Sequence, residues 1–164
     1  MKTIWFCGED EQMLTTIAEY VGEELVNRSQ CVELIVHSEI NEILGRGLKD
    51  IPEDRATFVE RLGFLGNLLH RNEIFTLIVS NKASVEDRRK VKEIYKNYIQ
   101  INIGSFKDLL CDLDLSSKDN PKENAKNIVQ YLIFEKIIPE QIQEVYSKEE
   151  EEEIRRRLED LGYV

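Results

Sequence analysis

Cysteine and histidine are scarce in this sequence. Its 164 residues include three cysteines, Cys7, Cys31 and Cys111, and two histidines, His37 and His70. The cysteines are odd in number and widely spaced, without a C-x-x-C pair, so the pattern indicates neither a disulfide framework nor a zinc site. We expect three buried, reduced thiols and no set of metal ligands.

Long apolar runs and an excess of positive charge are also missing. No stretch approaches the roughly 18 apolar residues of a membrane span, and the apolar run at residues 3–7 is too short for a signal peptide. A cytoplasmic protein without membrane contact is therefore expected. The formal net charge of −10 argues against a nucleic acid partner, because proteins that bind nucleic acid concentrate lysine and arginine. The apolar fraction of 41% and charged fraction of 33% suit one folded domain with a charged surface.

Short β-type runs alternate with helical periodicity along the first two thirds of the chain. The predicted strands are Thr3–Cys7, Cys31–Val36, Ile74–Ser80 and Tyr98–Ile103. One helix is predicted from Leu14 onward, a second over Glu53–Arg71, and a third from the Ser84 cap to about Asn97. The segment Asn41–Ile51 contains two glycines and is typical of a loop or a broken helix. Such alternation predicts a parallel sheet covered on both faces, with ligands bound beyond the carboxyl ends of its strands.

The last part of the chain is predicted to be helical. Asn120 and Pro121 are typical of the N-cap and first turn of a helix, which Pro139 ends or restarts. The acidic run is Glu149–Glu153, and its last three residues each stand four residues before an arginine, as in a solvated terminal helix. We therefore divide the chain into an α/β domain, residues 1–138, and a charged helical tail, residues 139–164. That tail either packs on the domain or docks to a protein partner.

The segment after the first strand has the length of a phosphate-binding loop without its chemistry. In G-x-x-x-x-G-K-[ST], backbone amides surround the phosphates, the lysine contacts the outer phosphates and the hydroxyl binds magnesium. The window here consists of Gly8, Glu9, Asp10, Glu11, Gln12, Met13, Leu14 and Thr15. Met13 replaces the second glycine, Leu14 replaces the lysine, and three carboxylates stand where phosphate should bind. Because two like charges about 4 Å apart repel by about 1 kcal/mol even in water, a triphosphate is expected to be excluded.

The flanks of this window resemble the start of adenylylsulfate kinases. Thr3–Phe6 with Gly8, and then Thr15–Ala18, match that family's T-I-W-F-T-G and G-K-T-T-I-A. A second block, Gly47–Leu69, resembles the family's G-L-G-F-S-x-E-D-R-x-x-N-x-R-R-I-G-F-x-A-x-L-L, with the spacing kept. The similarity covers roughly residues 3–103. It implies an α/β fold, a P-loop-kinase-like three-layer sandwich with a mostly parallel sheet flanked by helices, plus the C-terminal helical tail.

The resemblance implies a magnesium-dependent kinase that transfers the γ-phosphate of ATP to the 3′-hydroxyl of adenylylsulfate. The sequence departs from that family at the reactive positions. The family's D-G-D-x-x-R falls on Val36–Asn41, so the acid that would serve the acceptor hydroxyl and the arginine are absent. Phe58 replaces the asparagine after E-D-R, Lys82 replaces the tyrosine of S-P-Y-R, and the R-D-x-K-G-L-Y lid has no counterpart in Ser105–Asn120. Since phosphoryl transfer depends on positioning and charge stabilisation, we expect a pseudoenzyme without catalytic residues.

Four residues are candidates for a residual ligand site. They are Arg55, Arg61, Ser80 and His37. Arg55 matches a substrate-binding arginine of the family, so adenylylsulfate or another small anion is the ligand that this group would take. His37, at the carboxyl end of a strand, is a candidate acid–base group. The alternative is that Glu53–Arg55 is only a helix start with a surface ion pair, that Phe64 belongs to the core and that His37 is structural.

Three functions follow from these observations. The first is a catalytically degenerate adenylylsulfate-kinase-like protein that acts in binding or regulation in sulfur-nucleotide or sulfation metabolism. The second is an active adenylylsulfate kinase, or another nucleotide or phosphotransfer enzyme, with a non-standard site in which Glu9–Glu11 holds a cation or a basic substrate. The third is an interaction protein that uses its acidic tail. No cofactor is expected for the first function, whereas ATP and magnesium belong to the kinase interpretation. The resemblance also suggests a homodimer.

Overall fold

Five strands and five helices occur in the part of the chain that the computed structural model describes, residues 2–104, 108, 110–140 and 156–157. The strands are β1 (Thr3–Gly8), β2 (Val32–Val36), β3 (Phe75–Val79), β4 (Tyr98–Gly104) and β5 (Leu113–Ser116). The helices are α1 (Glu11–Val26), α2 (His37–Leu44), α3 (Pro52–Arg71), α4 (Val85–Ile94) and α5 (Pro121–Phe134). The predicted tail, residues 139–164, lies outside the described residues apart from residues 139–140 and 156–157.

The strands form one parallel sheet in the order β2-β3-β1-β4-β5. In the middle strand, Thr3 is in register with Thr76 of β3 on one side and with Tyr98 of β4 on the other. Helices lie on both faces, because α1 packs against α5 and α3 packs against α4. The predicted three-layer α/β fold with a parallel sheet is therefore confirmed.

The middle strand β1 contributes to two separate apolar cores. Ile4 and Phe6 pack in the core beneath α1 and α5. Trp5 and Cys7 pack in the core beneath α3 and α4. Successive side chains of a strand point to opposite faces, so an unbroken apolar run is what a strand covered on both faces requires.

Helix α3 lies very close to α4 and β4, and glycine makes that approach feasible. A Cβ added at Gly63 would lie 2.8 Å from a Val91 methyl group, and one added at Gly66 would lie 2.5 Å from the Tyr98 hydroxyl oxygen. That hydroxyl donates a hydrogen bond of 2.5 Å to the Gly63 carbonyl oxygen. Phe64, in contrast, is 57% exposed. The interpretation of Phe64 as a core residue is therefore wrong, since the side of α3 that faces α4 is the side of Gly63.

Two elements differ from the sequence-based expectation. The segment Asn41–Ile51, predicted as a loop or a broken helix, is helical in its first four residues, because α2 starts at His37 directly after β2 and ends at Leu44. No side chain caps this helix to mark its start. Strand β5 occupies Leu113–Ser116, where apolar and exposed residues alternate over only four positions at the sheet edge. Such a short pattern is weak evidence for a strand.

Two predicted helix caps are confirmed. The Ser84 hydroxyl accepts a hydrogen bond from the Asp87 amide at 3.1 Å, and the Asn120 side chain accepts one from the Lys122 amide at 2.9 Å. Helix α4 ends at Ile94 rather than near Asn97, since Tyr95 already has extended backbone angles. None of the helices described here has both the length and the apolar character that crossing a bilayer requires.

Candidate functional site

The connection between β1 and α1 is a two-residue turn rather than an open loop. Strand β1 ends at Gly8 and α1 begins at Glu11, so only Glu9 and Asp10 lie between them. The remaining positions of the phosphate window, Glu11–Thr15, belong to the first turns of the helix. The backbone that would have to wrap around a phosphate is therefore wound into the first turns of a helix.

The carboxylate of Asp10 occupies the amide donors at the start of α1. Its Oδ1 accepts hydrogen bonds from the backbone amides of Gln12 at 3.0 Å and Met13 at 3.2 Å. Amides at a helix N-terminus are unpaired by the helix itself and, together with the helix dipole, form the usual binding site for a phosphate. In this chain the anion at that position is a side chain of the turn itself.

The next two positions do not present the groups that a nucleotide needs. Leu14, at the lysine position, is fully buried in the core beneath α1. The Thr15 hydroxyl, at the magnesium-binding position, donates a hydrogen bond of 2.8 Å to the Glu11 carbonyl oxygen. The residues at this turn therefore do not fit ATP and magnesium.

Gly8 is required by the sheet. A Cβ at this position would lie 2.3 Å from the carbonyl oxygen of Ile103, which is its register partner in β4. Packing against β4 therefore explains why a glycine stands at the first position of the window, whether or not phosphate binds there. The idea that Glu9–Glu11 hold a cation finds no support either, because no three histidine, cysteine or acidic side chains converge on a metal position within residues 2–104, 108, 110–140 and 156–157.

A cleft of about 290 Å³ lies beyond the carboxyl ends of β2 and β3. The polar and aromatic side chains that line it come from α2, from the segment before α3, from the start of α3 and from the residues after β3. They include His37, Asn41, Lys49, Arg55, Phe58 and Lys82. This is the edge at which ligands of parallel α/β folds bind.

His37 is fixed at the inner wall of this cleft. It is 7% exposed, its Nδ1 lies 2.9 Å from the Ser80 hydroxyl oxygen, and its ring lies 4.3 Å from the Phe58 ring between centroids. Burial lowers the pKa of His37, and the Lys82 ammonium lowers it further. The imidazole is therefore neutral near pH 7. This contact joins His37 and Ser80 at the carboxyl ends of two neighbouring strands.

His37 is expected to make the fold sensitive to mild acid. A neutral buried imidazole with a lowered pKa stabilises the folded state above the unfolded-chain value of 6.5, and this contribution is lost as the pH falls from 6.5 through the folded pKa. Wild type should therefore lose more unfolding free energy between pH 7 and pH 5 than His37→Gln does. Urea unfolding at both pH values measures the difference. An equal pH dependence of the two proteins would contradict the assignment.

The charges of the cleft are mixed, with an excess of one cation. Arg55 pairs with Asp50 at 3.1 Å, and both side chains are largely exposed. The Asp54 carboxylate accepts a hydrogen bond of 2.8 Å from the Lys49 amide. Lys49, Arg55 and Lys82 thus oppose two carboxylates. Glu53–Arg55 lies at the start of α3, and the ion-pair partner of Arg55 is Asp50, which precedes that segment. Asp54 and Arg55 also line the cleft.

The four predicted ligand residues do not all meet. Arg55 and His37 line the cleft and Ser80 reaches it through His37. Arg61 instead donates a hydrogen bond to the Leu44 carbonyl oxygen at the end of α2. Its guanidinium therefore fixes α2 on α3.

The sequence-based prediction of ligand residues did not include several residues of the cleft, because these residues depart from the family pattern. Asn41, Phe58 and Lys82 stand where the resemblance predicts arginine, asparagine and tyrosine, and they line the same cleft as Arg55. The residues that replace the family's arginine, asparagine and tyrosine therefore lie close together in the structure. The signal that could have found them was this shared location at two adjacent strand ends.

Solved structures with the same fold define the class of this protein. The Mycobacterium tuberculosis APS kinase CysC in complex with AMPPNP and APS aligns with a TM-score of 0.70 and 17% identity, over 80% of this chain and 96% of that one. The hexameric APS kinase from Thiobacillus denitrificans aligns with a TM-score of 0.74 and 18% identity, over 84% of this chain and 29% of that one. The fold is thus the P-loop-kinase-like α/β fold.

Sequence comparison defines the family. The model of the adenylylsulphate kinase family matches residues 1–123, and the chain belongs to that family. The adenylyl-sulfate kinase of Deinococcus deserti is 32% identical over 90 residues, which are 55% of this chain and 50% of that protein. The enzyme of Rippkaea orientalis is 27% identical over 103 residues, which are 63% of this chain and 57% of that protein. The chain therefore spans little more than half the length of these curated relatives.

Proposed function

We propose that this chain is a catalytically degenerate member of the adenylylsulfate kinase family, which binds a sulfur nucleotide and does not transfer phosphate. The observation that carries this proposal is the Asp10 carboxylate on the Gln12 and Met13 amides. An anion bound there would have to displace a carboxylate held at high effective concentration by its own chain. With Leu14 buried, no side chain at that position compensates the charge of a triphosphate.

The cleft supports binding of an acceptor-like nucleotide. Phe58 contributes an apolar part of the wall, and Lys49, Arg55 and Lys82 offer three cations for a phosphosulfate group. Its volume of about 290 Å³ is close to the lower end of small-molecule sites. The ligand class that this chemistry favours is a nucleoside monophosphate derivative such as adenylylsulfate. A binding or regulatory role in sulfur-nucleotide metabolism follows from that ligand.

Calorimetric titration of the full chain tests this function. We expect adenylylsulfate to give a saturable heat and magnesium-ATP to give none at the same concentrations. A transfer assay with γ-labelled ATP and adenylylsulfate should give no labelled product. Labelled product would overturn the absence of catalysis, and a flat adenylylsulfate titration would overturn the binding role.

Arg55→Gln is expected to weaken adenylylsulfate binding by roughly ten-fold or more, because it removes one charge-assisted hydrogen bond to the anion. Arg71→Gln is the matched control, since Arg71 is an exposed residue at the opposite end of α3. The dissociation constants come from the same titration. Equal losses in both variants would show that only the general charge of α3 matters.

The second candidate is an active kinase with a non-standard site. The observation in its favour is the family itself, whose members in Deinococcus deserti and Rippkaea orientalis are adenylyl-sulfate kinases. ATP and magnesium would be its cofactors, and the same transfer assay decides between the two functions. A homodimer and a protein partner of residues 139–164 stay predictions.

A further inference from the structure

A buried arginine links two cysteines on the face of the sheet beneath α3 and α4. Arg88 of α4 is 4% exposed. Its Nη2 lies 2.6 Å from the Asp108 carboxylate, while its Nη1 lies 3.6 Å from Cys111 Sγ and 3.3 Å from Gln100 Oε1. Cys7, at the end of β1, belongs to the apolar cluster against which Cys111 packs. These contacts place the Cys111 sulfur beside one fixed cation and against the cluster that contains Cys7.

The two thiols interact and differ in accessibility. Cys7 is 4% exposed and Cys111 is half-buried, and the Cys111 side chain packs against the cluster that contains Cys7. The expectation of three buried thiols is wrong for Cys31, which is exposed, and only partly right for Cys111. Cys111 is therefore the thiol that a dissolved reagent reaches, and Cys7 stands behind it.

The electrostatics of the pair are asymmetric. The neighbouring Cys7 thiol lowers the pKa of Cys111, and the Arg88 guanidinium lowers it further against the opposing effect of burial. Burial raises the pKa of Cys7, and the neighbouring Cys111 thiol adds to this effect. Thiolate is the reactive form of cysteine, and a neighbouring cation is the usual device that favours it. Cys111 thus has the character of an attacking thiol and Cys7 that of a resolving thiol.

A metal is not the explanation for this cluster. Among the residues that the structure describes, no group of three histidine, cysteine or acidic side chains is arranged to hold an ion. Asp108 is also engaged with Arg88. If Arg88 were only structural, its ion pair with Asp108 would be sufficient. The contact between Arg88 Nη1 and Cys111 Sγ would not be needed.

We propose that Cys7 and Cys111 form a redox-active dithiol, which peroxide converts to an intramolecular disulfide. The Cys111 thiolate attacks one oxygen of hydrogen peroxide, so that the O–O bond breaks, an S–O bond forms and hydroxide leaves as water after protonation. Cys7 then loses its proton and attacks the Cys111 sulfur, forming the S–S bond and releasing the second oxygen as water. The two thiols lose two electrons, and peroxide is reduced to two waters.

The disulfide would join the carboxyl end of strand β1 to the segment before β5. Cys7 precedes Gly8 and the Asp10 turn, and Cys111 lies two residues before Leu113, where β5 begins. The cross-link therefore closes a loop of more than one hundred residues through the middle of the sheet. This inference is independent of the proposed nucleotide function, because none of its residues lines the cleft.

Oxidation of the full chain with hydrogen peroxide tests the proposal. After alkylation of the remaining thiols, peptide mapping by mass spectrometry should recover a Cys7–Cys111 linked pair that dithiothreitol releases. Trp5, the single tryptophan of the chain, contacts Cys7 through its carbonyl oxygen at 3.7 Å. Its fluorescence should change with the same time course. Oxidation of Cys31 under conditions that leave Cys7 and Cys111 reduced would overturn the proposal.

Variants separate the attacking from the resolving thiol. Cys111→Ser should abolish the linked species and leave Cys7 alkylatable, whereas Cys7→Ser should leave Cys111 as a sulfenic acid that dimedone labels. Cys31→Ser, at an exposed position, is the control and should form the linked pair at the wild-type rate. Rapid oxidation of Cys7 in Cys111→Ser would contradict the order of the steps. The mapping of the wild type decides the question if Cys7→Ser does not fold.

Discussion

Replacing Asp108 with alanine is expected to lower the free energy of unfolding by about 3 kcal/mol, because it leaves the Arg88 cation buried without its carboxylate. The Arg88 side chain is 5% exposed and the Asp108 side chain is 15% exposed, so water reaches the pair poorly. Double replacement with Arg88→Met removes both charges and should recover most of the loss. Urea unfolding of the single and double variants measures both values.

An exposed ion pair of the same helix gives the control. Arg89 and Glu93 lie 3.7 Å apart with side chains that are 49% and 61% exposed, and Glu93→Ala should change stability by less than about 0.5 kcal/mol. An equal effect of Asp108→Ala would show that Arg88 is solvated. Burial raises the pKa of Asp108, but the hydrogen bonds from Arg88 and the Leu110 amide and the charge of Arg88 together hold that pKa below its ordinary 3.8. The contribution is therefore complete above pH 3.8 and is lost as the pH falls through the folded pKa.

Gly8→Ala is the second substitution with a large expected effect, a loss of about 3 kcal/mol in unfolding free energy. The added Cβ would lie 2.3 Å from the Ile103 carbonyl oxygen, which is backbone of the adjacent strand. Relief requires β1 and β4 to move apart and to weaken their parallel pairing. Thermal and urea unfolding, with far-ultraviolet circular dichroism as the probe, measure the loss.

Gly22→Ala is the matched control for this substitution. Its Cβ would lie 3.4 Å from a Leu77 methyl group, an ordinary contact, and it stands inside α1, where alanine is favoured over glycine by about 0.5–1 kcal/mol. Gly8→Ala should therefore lower the free energy of unfolding, whereas Gly22→Ala should raise it. A neutral Gly8→Ala variant would indicate that the turn adapts, and that Gly8 has no packing role.

The sequence predicts the fold better than the site, because a short and uniformly apolar run is compatible with little other than a strand covered on both faces. Thr3–Cys7 and Ile74–Ser80 are too uniformly apolar for anything but covered strands, and both lie in the middle of the sheet. Strand β5 and helix α2 carry no comparable signal. Both depend on tertiary neighbours, since β5 pairs only along β4 and α2 rests on β2 and α3.

Features of the site that depend only on neighbouring residues in the sequence could be predicted. Features that depend on the exact start of a helix, or on residues far apart in the sequence, could not. The clash of Glu9–Glu11 with phosphate follows from residue types alone. The capture of two amides by Asp10 requires the helix to start at Glu11, a boundary that the apolar pattern from Leu14 does not define. The Cys7–Cys111 contact is formed by residues more than one hundred positions apart, which no sequence pattern joins.

The carboxylate at the start of α1 occupies the position at which an ordinary phosphate loop holds a separate ligand. An ordinary phosphate loop is completed by a nucleotide, so its host is more stable when ATP is abundant. Asp10 is supplied with the polypeptide in fixed stoichiometry. The stability of this turn is consequently independent of any anion bound at the start of α1.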